Sequence, residues 1–584
     1  MPIRKQWRLL PHDETAARRL ASAIETNEVV AQLLLNRGVS DPVAAKLFLS
    51  SPMSGLHSPD LLPNIATAAE RLAAAVATGE KVCVYGDYDV DGTTGTAILF
   101  ALLGKLGGNV VFHIPIRLED GYGLNAEPLR KLAEDGVKVV VTVDCGISAV
   151  AEAELARELG IDLIVTDHHE MKATLPAATL VHPRLPGSVY PFGGISGSCV
   201  AFKLAWAVAQ QVNGGTRVSE ELREFLLDAM GLAALGLVAD VVPLRDENRV
   251  FTRHGLKRLV RRPSIGLKAL FDEAKLTDKL SAEDVSFKIG PRINAAGRLG
   301  CARLVVELLT TTNPRKAAEI AAFLEGQNSQ RQTIERKATA QAKEMVEQNG
   351  WADAPAIVIG HAATEWHQGV VGIVAGRLVE HYGKPTLVIA LKDDDHPSSG
   401  SGRSVKGFEL HTALDACTDL LEGHGGHAAA VGLRVKPSNL DALRERFCEY
   451  VSRTFPDGPP PPTLLLDAEL PLASLSFKLL GDIDKLEPYG QDNPRPRFLA
   501  TDVQIEGTPR RIGQGERHLS FRVRQGGTTI RAVAWGMGER LDEIMSDGGR
   551  CCLAFTPKIN EWNGNRSVEI EVSDFQPKRL ADLS

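Results

Sequence analysis

Several features are scarce or absent in this chain of 584 residues, and each absence excludes a class of protein. No apolar run approaches the roughly 20 residues of a membrane-spanning helix, and no apolar stretch of the secretory type follows the charged start at Arg4 and Lys5. The eight cysteines are scattered without a C-x-x-C pair, which argues against zinc ribbons and a disulfide framework. Six Trp and seven Tyr provide little surface for stacking on bases, which disfavours a sequence-reading surface. We therefore expect a cytoplasmic protein with reduced thiols and no membrane association.

The composition is that of a globular protein with local basic segments. Hydrophobic residues make up 44% and charged residues 24% of the chain, and the length predicts about three or four domains. The net charge of −7 excludes a generally basic protein. Two segments, 251–268 and 510–531, nevertheless each carry six Lys or Arg. The two segments together contain one acidic residue, Glu516. Such runs are either solvated faces or surfaces that follow a phosphate backbone.

Four short apolar runs, each ending in carboxylates or imidazoles, are the most informative feature of the chain. They are Val82 to Gly86 before Asp87, Asp89 and Asp91; Val139 to Val143 before Asp144; Ile161 to Thr166 before Asp167, His168 and His169; and Ala233 to Ala239 before Asp240. Short apolar runs flanked by glycine predict buried parallel strands. Ligands of such sheets bind beyond the carboxyl ends of the strands.

Any one of these segments could be an ordinary turn, since Asp and Gly are common there. The set is harder to explain in that way. Two carboxylates about 4 Å apart repel by roughly 4 kcal/mol at an effective dielectric constant of 20. Several of them facing one crevice would exceed the stability margin of a domain unless cations neutralise them. Carboxylate and imidazole ligands suit Mg²⁺ or Mn²⁺, and two such ions can activate a water and stabilise both oxygens of a phosphoester displacement. The pattern indicates a two-metal phosphoesterase.

The alternation of strands and helices predicts a predominantly α/β chain of several parts. The predicted parts are a helical N-terminal segment (1–64), a parallel-sheet domain (65–312), a connecting helix that starts at Asn313-Pro314 and either breaks near Gly326 or acts as a strut (313–350), a second α/β domain (351–455) and a small β-barrel (463–577). The stiff spacer Gly458 to Pro462 is the clearest boundary, and it suggests that the barrel can be removed without loss of the catalytic domain.

The motifs resemble, in order and spacing, those of the DHH phosphoesterase superfamily, and in particular its RecJ branch of single-strand-specific DNA exonucleases. The matching segments are 86–92 (GDYDVDG), 143–146 (VDCG), 167–169 (DHH), 238–244 (VADVVPL), 290–298 (GPRINAAGR), 366–373 (WHQGVVGI), 402–404 (GRS), 424–427 (HGGH), 486–490 (LEPYG) and 493–494 (NP). The resemblance covers roughly residues 65 to 577. It implies a DHH catalytic domain, a DHHA1 domain from about residue 351 and a C-terminal OB-fold.

The resemblance also implies roles for individual residues. Metal ligands would be Asp87, Asp89, Asp144, His168 and Asp240, with Asp144 bridging two Mn²⁺ or Mg²⁺ ions. His169 would face the substrate phosphate, while Asp91 is either a supporting residue or a turn carboxylate. The chain departs from family patterns at two positions. Cys83 stands where some relatives have a ligand His, which leaves the ligands of the first ion incompletely specified, and Gly231 stands where an Asp is expected.

Further residues are candidates for holding phosphate, because such a reaction needs donors for the non-bridging oxygens. Arg292, Asn294 and Arg298 are the candidates in the catalytic domain, although the same segment could be a glycine-rich helix start with surface arginines. In the second domain and the barrel the candidates are Arg377, Arg403, Ser404, Gly426, His427, Arg510, Arg511 and Arg522. We expect Arg403 and His427 to lie on flexible, glycine-rich turns that receive a terminal phosphate.

The expected activity is hydrolysis of single-stranded DNA from its 5′ end to 5′-mononucleotides, in recombination and repair. The resemblance implies a single-strand-binding protein and a repair helicase as partners. One alternative is a phosphoesterase acting on oligonucleotides or other small phosphoesters, which the C-terminal barrel disfavours. A second alternative is a non-catalytic replication scaffold, which the presence of all five expected ligands disfavours.

Overall fold

The N-terminal segment contains a strand as well as helices in the computed structural model, which describes residues 4–116, 121, 123–276, 278–393, 396–562 and 564–577. Its elements are β1 (Gln6–Leu9), α1 (Glu14–Ile24), α2 (Glu28–Asn36) and α3 (Pro42–Ser50). Asp13, Asn27 and Asp41 cap the three helices with their side chains. The strand was not predicted, because it is only four residues long and pairs with a distant part of the chain.

The catalytic domain is built on a five-stranded parallel sheet, as predicted. Its elements are α4 (Ile65–Thr78), β2 (Lys81–Gly86), α5 (Val90–Lys105), β3 (Asn109–His113), α6 (Ala126–Glu134), β4 (Val137–Val143), α7 (Val150–Glu158), β5 (Asp162–Thr166), β6 (Thr179–Val181), α8 (Gly197–Val212), α9 (Glu220–Ala239), α10 (Asp246–Arg261), α11 (Ile265–Glu273), α12 (Ala282–Asp284), α13 (Gly290–Arg298) and α14 (Arg303–Thr310). The strand order is β3-β2-β4-β5-β6, so the three predicted strands lie side by side at its centre.

The fourth apolar run is a helix, so its prediction as a strand is wrong. Ala233 to Ala239 forms the last two turns of α9, and Asp240 is the C-terminal cap of that helix. The run contains one β-branched residue, Val238, among alanine, leucine and glycine, and it continues a stretch of good helix formers that Ser219 caps. An apolar run of seven residues does not by itself distinguish a strand from a buried helix.

A single long helix, α15 (Pro314–Gln348), connects the two α/β domains without a break at Gly326. The Asn313 side chain caps it by accepting hydrogen bonds from the backbone amides of Arg315 and Lys316. The side chains of Ile320 and Leu324 on this helix are buried, whereas that of Phe323 is exposed. The alternative of a strut between domains is therefore the one observed.

The second α/β domain has a mixed sheet of order β10-β11-β9-β8-β7. Its elements are β7 (Ile357–Ala362), α16 (Val371–Tyr382), β8 (Thr386–Leu391), β9 (Ser398–Arg403), α17 (Leu410–Asp415), β10 (Leu421–Gly426), β11 (Ala430–Val435) and α18 (Leu440–Thr454). Only β7 and β8 are parallel, and the remaining pairs are antiparallel.

The C-terminal part forms the predicted β-barrel. Its elements are β12 (Thr463–Leu466), β13 (Ala468–Glu469), α19 (Phe477–Ile483), β14 (Phe498–Ile512), β15 (His518–Gln525), β16 (Thr528–Ala534), α20 (Leu541–Met545), β17 (Arg550–Trp562) and β18 (Asn565–Pro577). Strands β14, β15, β16, β18 and β17 follow one another, and pairing of β14 with β17 closes the barrel.

The barrel and the N-terminal segment form one body. Strand β1 pairs in parallel with β12, directly after the proline spacer. Apolar side chains of α1 and α2, such as Leu20 and Leu33, lie in the same buried cluster as Phe498 and Phe555 of the barrel. The expectation that the barrel can be removed is therefore not supported by its packing.

This body is also fixed to the catalytic domain through Arg249 of α10. The guanidinium is 2% exposed and donates hydrogen bonds to the backbone carbonyls of Leu486, Glu487 and Phe48. Next to it, the backbone amide of Leu244 donates to the carbonyl of Gln491. The 486–492 loop therefore supports the segment that follows Asp240.

Two expectations from composition can be compared with the structure. In the described part of the chain, no helix is long and apolar enough to cross a membrane. All eight cysteines are reduced thiols, and they are buried or half-buried.

Candidate metal centre

Five acidic or imidazole side chains from five elements meet at the carboxyl edge of the parallel sheet. Asp87 follows β2, and Asp89 caps α5 by accepting a hydrogen bond from the Gly92 amide at 3.0 Å. Asp144 follows β4, His168 follows β5, and Asp240 ends α9. The structure thus brings together all the residues that were predicted as metal ligands.

Donor atoms of these residues, together with those of Asp91 and His169, form three overlapping groups. Within each group all donor atoms lie within 4.8 Å of one another. The groups are Asp87, Asp89 and Asp144; Asp144, His168 and His169; and Asp91, His168 and Asp240. The Nε2 atom of His168 lies 3.1 Å from Oδ1 of Asp144 and 3.4 Å from Oδ2 of Asp240. Asp144 belongs to two of the groups, as a bridging ligand would.

Burial and mutual repulsion make this cluster unfavourable on its own. Burial, followed by the charges of Asp91 and Asp89, raises the pKa of Asp144 well above its usual range. The same causes raise the pKa of Asp240 to about 8. Burial also lowers the pKa of His168 to about 4, so its imidazole is neutral at physiological pH and can coordinate a cation. The donor set fits two divalent cations that accept oxygen and imidazole ligands.

The backbone around Asp144 is arranged for this position. Asp144 has a φ of 62°, in the left-handed region that costs energy for a non-glycine residue. Its carboxylate lies against Gly197 at the start of α8, where a Cβ atom would come within 2.5 Å of Oδ1 of Asp144. Only glycine permits this approach, which places the carboxylate at the positive end of a helix.

His169 is oriented by a residue to which the sequence analysis assigned no role, Asp167. The Nδ1 atom of His169 lies 2.7 Å from Oδ1 of Asp167, whose other oxygen accepts a hydrogen bond from the Ile147 amide. Burial lowers the pKa of His169, but the hydrogen bond and charge of Asp167 outweigh it and raise that pKa to about 9. The imidazole is therefore cationic at physiological pH. Its side chain is 39% exposed, and Asp167 contacts its Nδ1 atom rather than Nε2. The position of Asp167 directly before the two histidines is the sequence feature that could have indicated this role.

Two other residues, which contact the backbone of His168 and His169, were also not predicted from the sequence. His182 lies with Nε2 2.8 Å from the carbonyl of His169, and Arg184 donates to the carbonyl of His168. They follow β6 and lie in no recognisable motif, so their proximity to the two histidines is visible only in the folded chain.

Helix α13 contains Arg292, Asn294 and Arg298 and packs against the metal-binding segments. A Cβ atom at Gly297 would lie 2.6 Å from the carbonyl of Tyr88, so glycine permits this contact. Arg292 forms an ion pair of 2.5 Å with Glu325 of α15, and Arg298 donates to the carbonyl of Gly369 in the second domain at 2.9 Å. Asn294 is partly exposed. The phosphate-binding roles of these residues remain predictions.

In the second domain, Arg403 does not lie on a flexible turn as expected. It is the last residue of β9, paired with Thr386 and Ala430. Its Nη2 atom would lie 3.1 Å from a Cβ atom at Gly372, the second residue of α16. The rigid strand thus presents Arg403 beside a helix N-terminus, which favours anions.

The other candidates in this domain are placed differently. Gly426 ends β10 and has a φ of 132°, while His427 is exposed in the short turn before β11. The Ser404 hydroxyl donates to the carbonyl of Phe408 at 2.6 Å, so it serves the local fold. Arg377 forms ion pairs with Glu335 and Glu380. Phosphate binding by these residues stays a prediction.

The two basic runs differ in the structure. In 251–268, Arg258 pairs with Glu224 and Asp228 of α9, and Arg262 also pairs with Glu224, so two of the six basic side chains of this run have acidic partners. The run 510–531 instead forms an outer face of β14, β15 and β16. Exposed side chains on this face are Arg510, Arg522, Arg524, Arg531 and, just beyond β16, Trp535. Arg511 donates to the carbonyl of Gly538, and Arg522 lies 3.7 Å from Glu506.

The two departures from the family pattern have structural explanations. The Cys83 side chain lies in the apolar cluster of Tyr85 and Val140, and burial raises the pKa of its thiol to about 12. It belongs to none of the three donor groups. A Cβ atom at Gly231 would lie 2.4 Å from Leu259 of α10, so the contact between α9 and α10 occupies the place of an Asp side chain.

Comparisons with known proteins agree with this architecture. Residues 81–234 match the model of the DHH family N-terminal domain, residues 355–453 the DHHA1 domain and residues 466–574 the RecJ OB domain. The single-stranded-DNA-specific exonuclease RecJ of Bacillus subtilis is 36% identical over 97% of this chain and 70% of its own length. The Escherichia coli protein of the same name is 34% identical over 95% and 98% of the two chains.

Solved structures give the same result. The crystal structure of RecJ from Thermus thermophilus in complex with Mn²⁺ superimposes with a TM-score of 0.83 at 32% identity, over 99% of this chain and 80% of the other. A Mg²⁺ complex of RecJ from the same organism has a TM-score of 0.78 at 30% identity, over 99% of this chain and 79% of the other. With a motif set, three domains and near full-length similarity in agreement, the chain belongs to the RecJ family of DHH phosphoesterases.

Proposed function

We propose that this chain is a single-stranded-DNA-specific exonuclease that degrades DNA in the 5′→3′ direction to 5′-mononucleotides. The observation that carries this proposal is the cluster of Asp87, Asp89, Asp144, His168 and Asp240 in a chain of the RecJ family. Relatives carry the name of this activity, and two RecJ crystal structures contain Mn²⁺ or Mg²⁺. The names of the relatives do not state the 5′→3′ polarity or a role in recombination and repair, and both are part of this proposal.

The cluster would hold two Mn²⁺ or Mg²⁺ ions, which activate a water nucleophile and offset charge on the phosphate. Asp144 would bridge them. His169, held by Asp167, presents a cationic N–H donor to a non-bridging phosphate oxygen. Arg298 on α13 contacts the second domain, and Asn294 lies one turn earlier on the same helix; both would hold the neighbouring phosphates. The exposed arginines of the barrel would bind the strand further from its end.

The function is tested with a single-stranded oligonucleotide labelled at either its 5′ or its 3′ end, with and without Mn²⁺. We expect a 5′ label to appear at once as a mononucleotide, and a 3′ label to pass through a ladder of shortening products. A duplex should be resistant. Cleavage of dinucleotides or other small phosphoesters without degradation of long strands would instead support the small-molecule alternative, and inactivity with bound metal would support a scaffold.

The proposal includes a cellular setting. We infer a cytoplasmic location, which the eight reduced thiols support. A single-strand-binding protein and a repair helicase are the proposed partners, on the basis of the family resemblance. Stimulation of strand degradation by each added protein, measured with the same labelled substrates, tests the partners.

We expect His169→Ala to retain both metal ions but to lose roughly two orders of magnitude in turnover rate, a typical cost of deleting one transition-state donor. The reason is that the Nδ1 atom of His169 is engaged by Asp167, so the partly exposed imidazole can offer its Nε2–H to the substrate. Mn²⁺ titration and single-turnover hydrolysis on the same preparation give the two quantities. A variant that loses manganese would show that His169 is a ligand.

Arg403→Ala should weaken the preference for 5′-phosphorylated over 5′-hydroxyl ends by about ten- to a hundredfold, as expected for a charge-assisted hydrogen bond of about 1.5–3 kcal/mol. Its place beside the N-terminus of α16 provides two features that favour an anion at one point.

Competition between the two kinds of end measures this preference. Arg453→Ala, an exposed arginine on α18 of the same domain, is the matched control and should keep it. If Arg403→Ala cuts more slowly but discriminates as before, the residue grips the chain generally and end recognition lies elsewhere.

A further inference from the structure

Asp91 is buried beside the metal-binding residues, and only one of its two carboxylate oxygens is bonded. It is 1% exposed, in the first turn of α5. Its Oδ1 atom accepts hydrogen bonds from the Ser198 hydroxyl at 2.5 Å and the Ser198 amide at 3.2 Å. Its Oδ2 atom is buried without a hydrogen-bond partner among the described residues. A buried carboxylate oxygen without a partner is unfavourable, which calls for a ligand.

The neighbourhood of Asp91 identifies the chemistry of that ligand. A carboxylate oxygen of Asp91, Nε2 or Nδ1 of His168 and a carboxylate oxygen of Asp240 lie within 4.8 Å of one another. The Oδ1 atom is already engaged by Ser198, so Oδ2 is the oxygen available to this group. Two carboxylates and a neutral imidazole form a site for a divalent cation.

Ser198 lies where the start of α8 meets α5 and α9, and the packing there is very close. A Cβ atom at Gly236 of α9 would come within 2.3 Å of the Ser198 hydroxyl and 2.4 Å of Oδ1 of Asp91. A Cβ atom at Gly95 of α5 would lie 3.0 Å from Cα of Ser198. The hydroxyl also lies 3.2 Å from the carbonyl of Ala233. The serine and the carboxylate are thus confined by three helices.

We infer that Asp91 is an additional ligand of the metal centre and that Ser198 is the positioning residue that holds it. This inference rests on the two-metal function proposed above. The amide and hydroxyl of Ser198 fix one carboxylate oxygen and so orient the other towards His168 and Asp240. Removing a residue that hydrogen-bonds to a metal ligand commonly lowers the metal affinity by about 10–100-fold.

Calorimetric titration of the metal-free full chain with MnCl₂ tests this inference. Ser198→Ala should bind Mn²⁺ about tenfold more weakly, because the amide of residue 198 still holds Asp91 in part. Ser196→Ala is the matched control: it removes a buried hydroxyl 3.1 Å from that of Ser198, at the same helix start, without a direct bond to Asp91. It should bind Mn²⁺ as the wild type does.

Two further measurements separate positioning from a general loss of structure. Thermal unfolding of the metal-free proteins should give similar midpoints for the two serine variants, while added Mn²⁺ should raise the midpoint less for Ser198→Ala. Asp91→Asn keeps the acceptor for Ser198 but replaces the other oxygen, so it should lose at least as much Mn²⁺ affinity as Ser198→Ala. This variant tests the ligand even if Ser198→Ala does not fold.

The outcomes are distinct. Wild-type affinity in Ser198→Ala would overturn the positioning role, and wild-type affinity in Asp91→Asn would overturn the ligand. Equal weakening in Ser196→Ala and Ser198→Ala would also overturn the positioning role, because the effect would then come from the helix start as a whole. If the wild type itself binds no Mn²⁺, the proposed function fails together with this inference.

Discussion

Asp144→Ala should abolish hydrolysis of single-stranded DNA and remove both metal ions. Asp144 belongs to two of the three donor groups, and its carboxylate lies 3.1 Å from Nε2 of His168. Without it, Asp87 and Asp89 lose the third donor of their group, and His168 loses one of its two groups. The remaining carboxylates also repel one another by roughly 4 kcal/mol per close pair. Titration with Mn²⁺ and the labelled-strand assay measure the two losses.

The contrast with His169→Ala makes this result specific. Both residues lie at the same edge of the sheet, but only Asp144 is assigned to coordination, so metal loss should be confined to Asp144→Ala. Asp162→Ala is a control, because it replaces an exposed carboxylate at the opposite end of β5. Residual Mn²⁺ binding with full stoichiometry in Asp144→Ala would refute its bridging role.

Ending the chain at Pro462 should prevent folding of the N-terminal segment and eliminate activity, even on short oligonucleotides. The truncation removes β12, the partner of β1, and leaves apolar residues of α1 and α2 such as Leu20 and Leu33 without the barrel side of their core. Each exposed side chain of this kind costs about 1.5–3 kcal/mol, and a few of them equal the roughly 5–15 kcal/mol margin of a typical domain.

The truncation also removes the support of the segment after Asp240. Arg249 loses the carbonyls of Leu486 and Glu487, and Leu244 loses the carbonyl of Gln491. Of the three carbonyls, only that of Phe48 then remains as an acceptor for the Arg249 guanidinium.

Soluble yield, thermal unfolding and cleavage of a short oligonucleotide measure the outcome for the truncated chain. Full-length Arg522→Gln, which changes only the outer face of the barrel, is the control and should fold and cleave. A soluble truncated chain with full activity on short substrates would show that the barrel is a separable DNA-binding module.

The sequence predicted those parts of the site that depend on local pattern. Asp87, Asp144 and His168 follow strands whose β-branched residues and short length mark them clearly. Asp240 was placed at the right edge for the wrong reason, since an apolar run of seven residues fits the end of α9 as well as a strand. Its ligand role came from motif spacing, which does not depend on the type of element.

Contacts between distant segments were not predictable in this way. Ser198 and Asp91 are 107 residues apart, and Arg249 and Leu486 are 237 residues apart. Neither Ser198 nor Arg249 belongs to a recognisable motif, and each is important only because helices pack closely around it. The ion pairs of Arg258 were likewise not predictable from local pattern, because the acids involved, Glu224 and Asp228, lie on another helix.

The pairing of β1 with β12 has a consequence for how the chain is synthesised. Residues of α1 and α2 are synthesised long before the barrel that completes their core, which extends to Pro577. At about 5–20 residues per second, the interval is roughly half a minute to two minutes. The N-terminal segment can therefore complete its core only after the barrel has been made, and during that interval its apolar helices lack the partner that buries them.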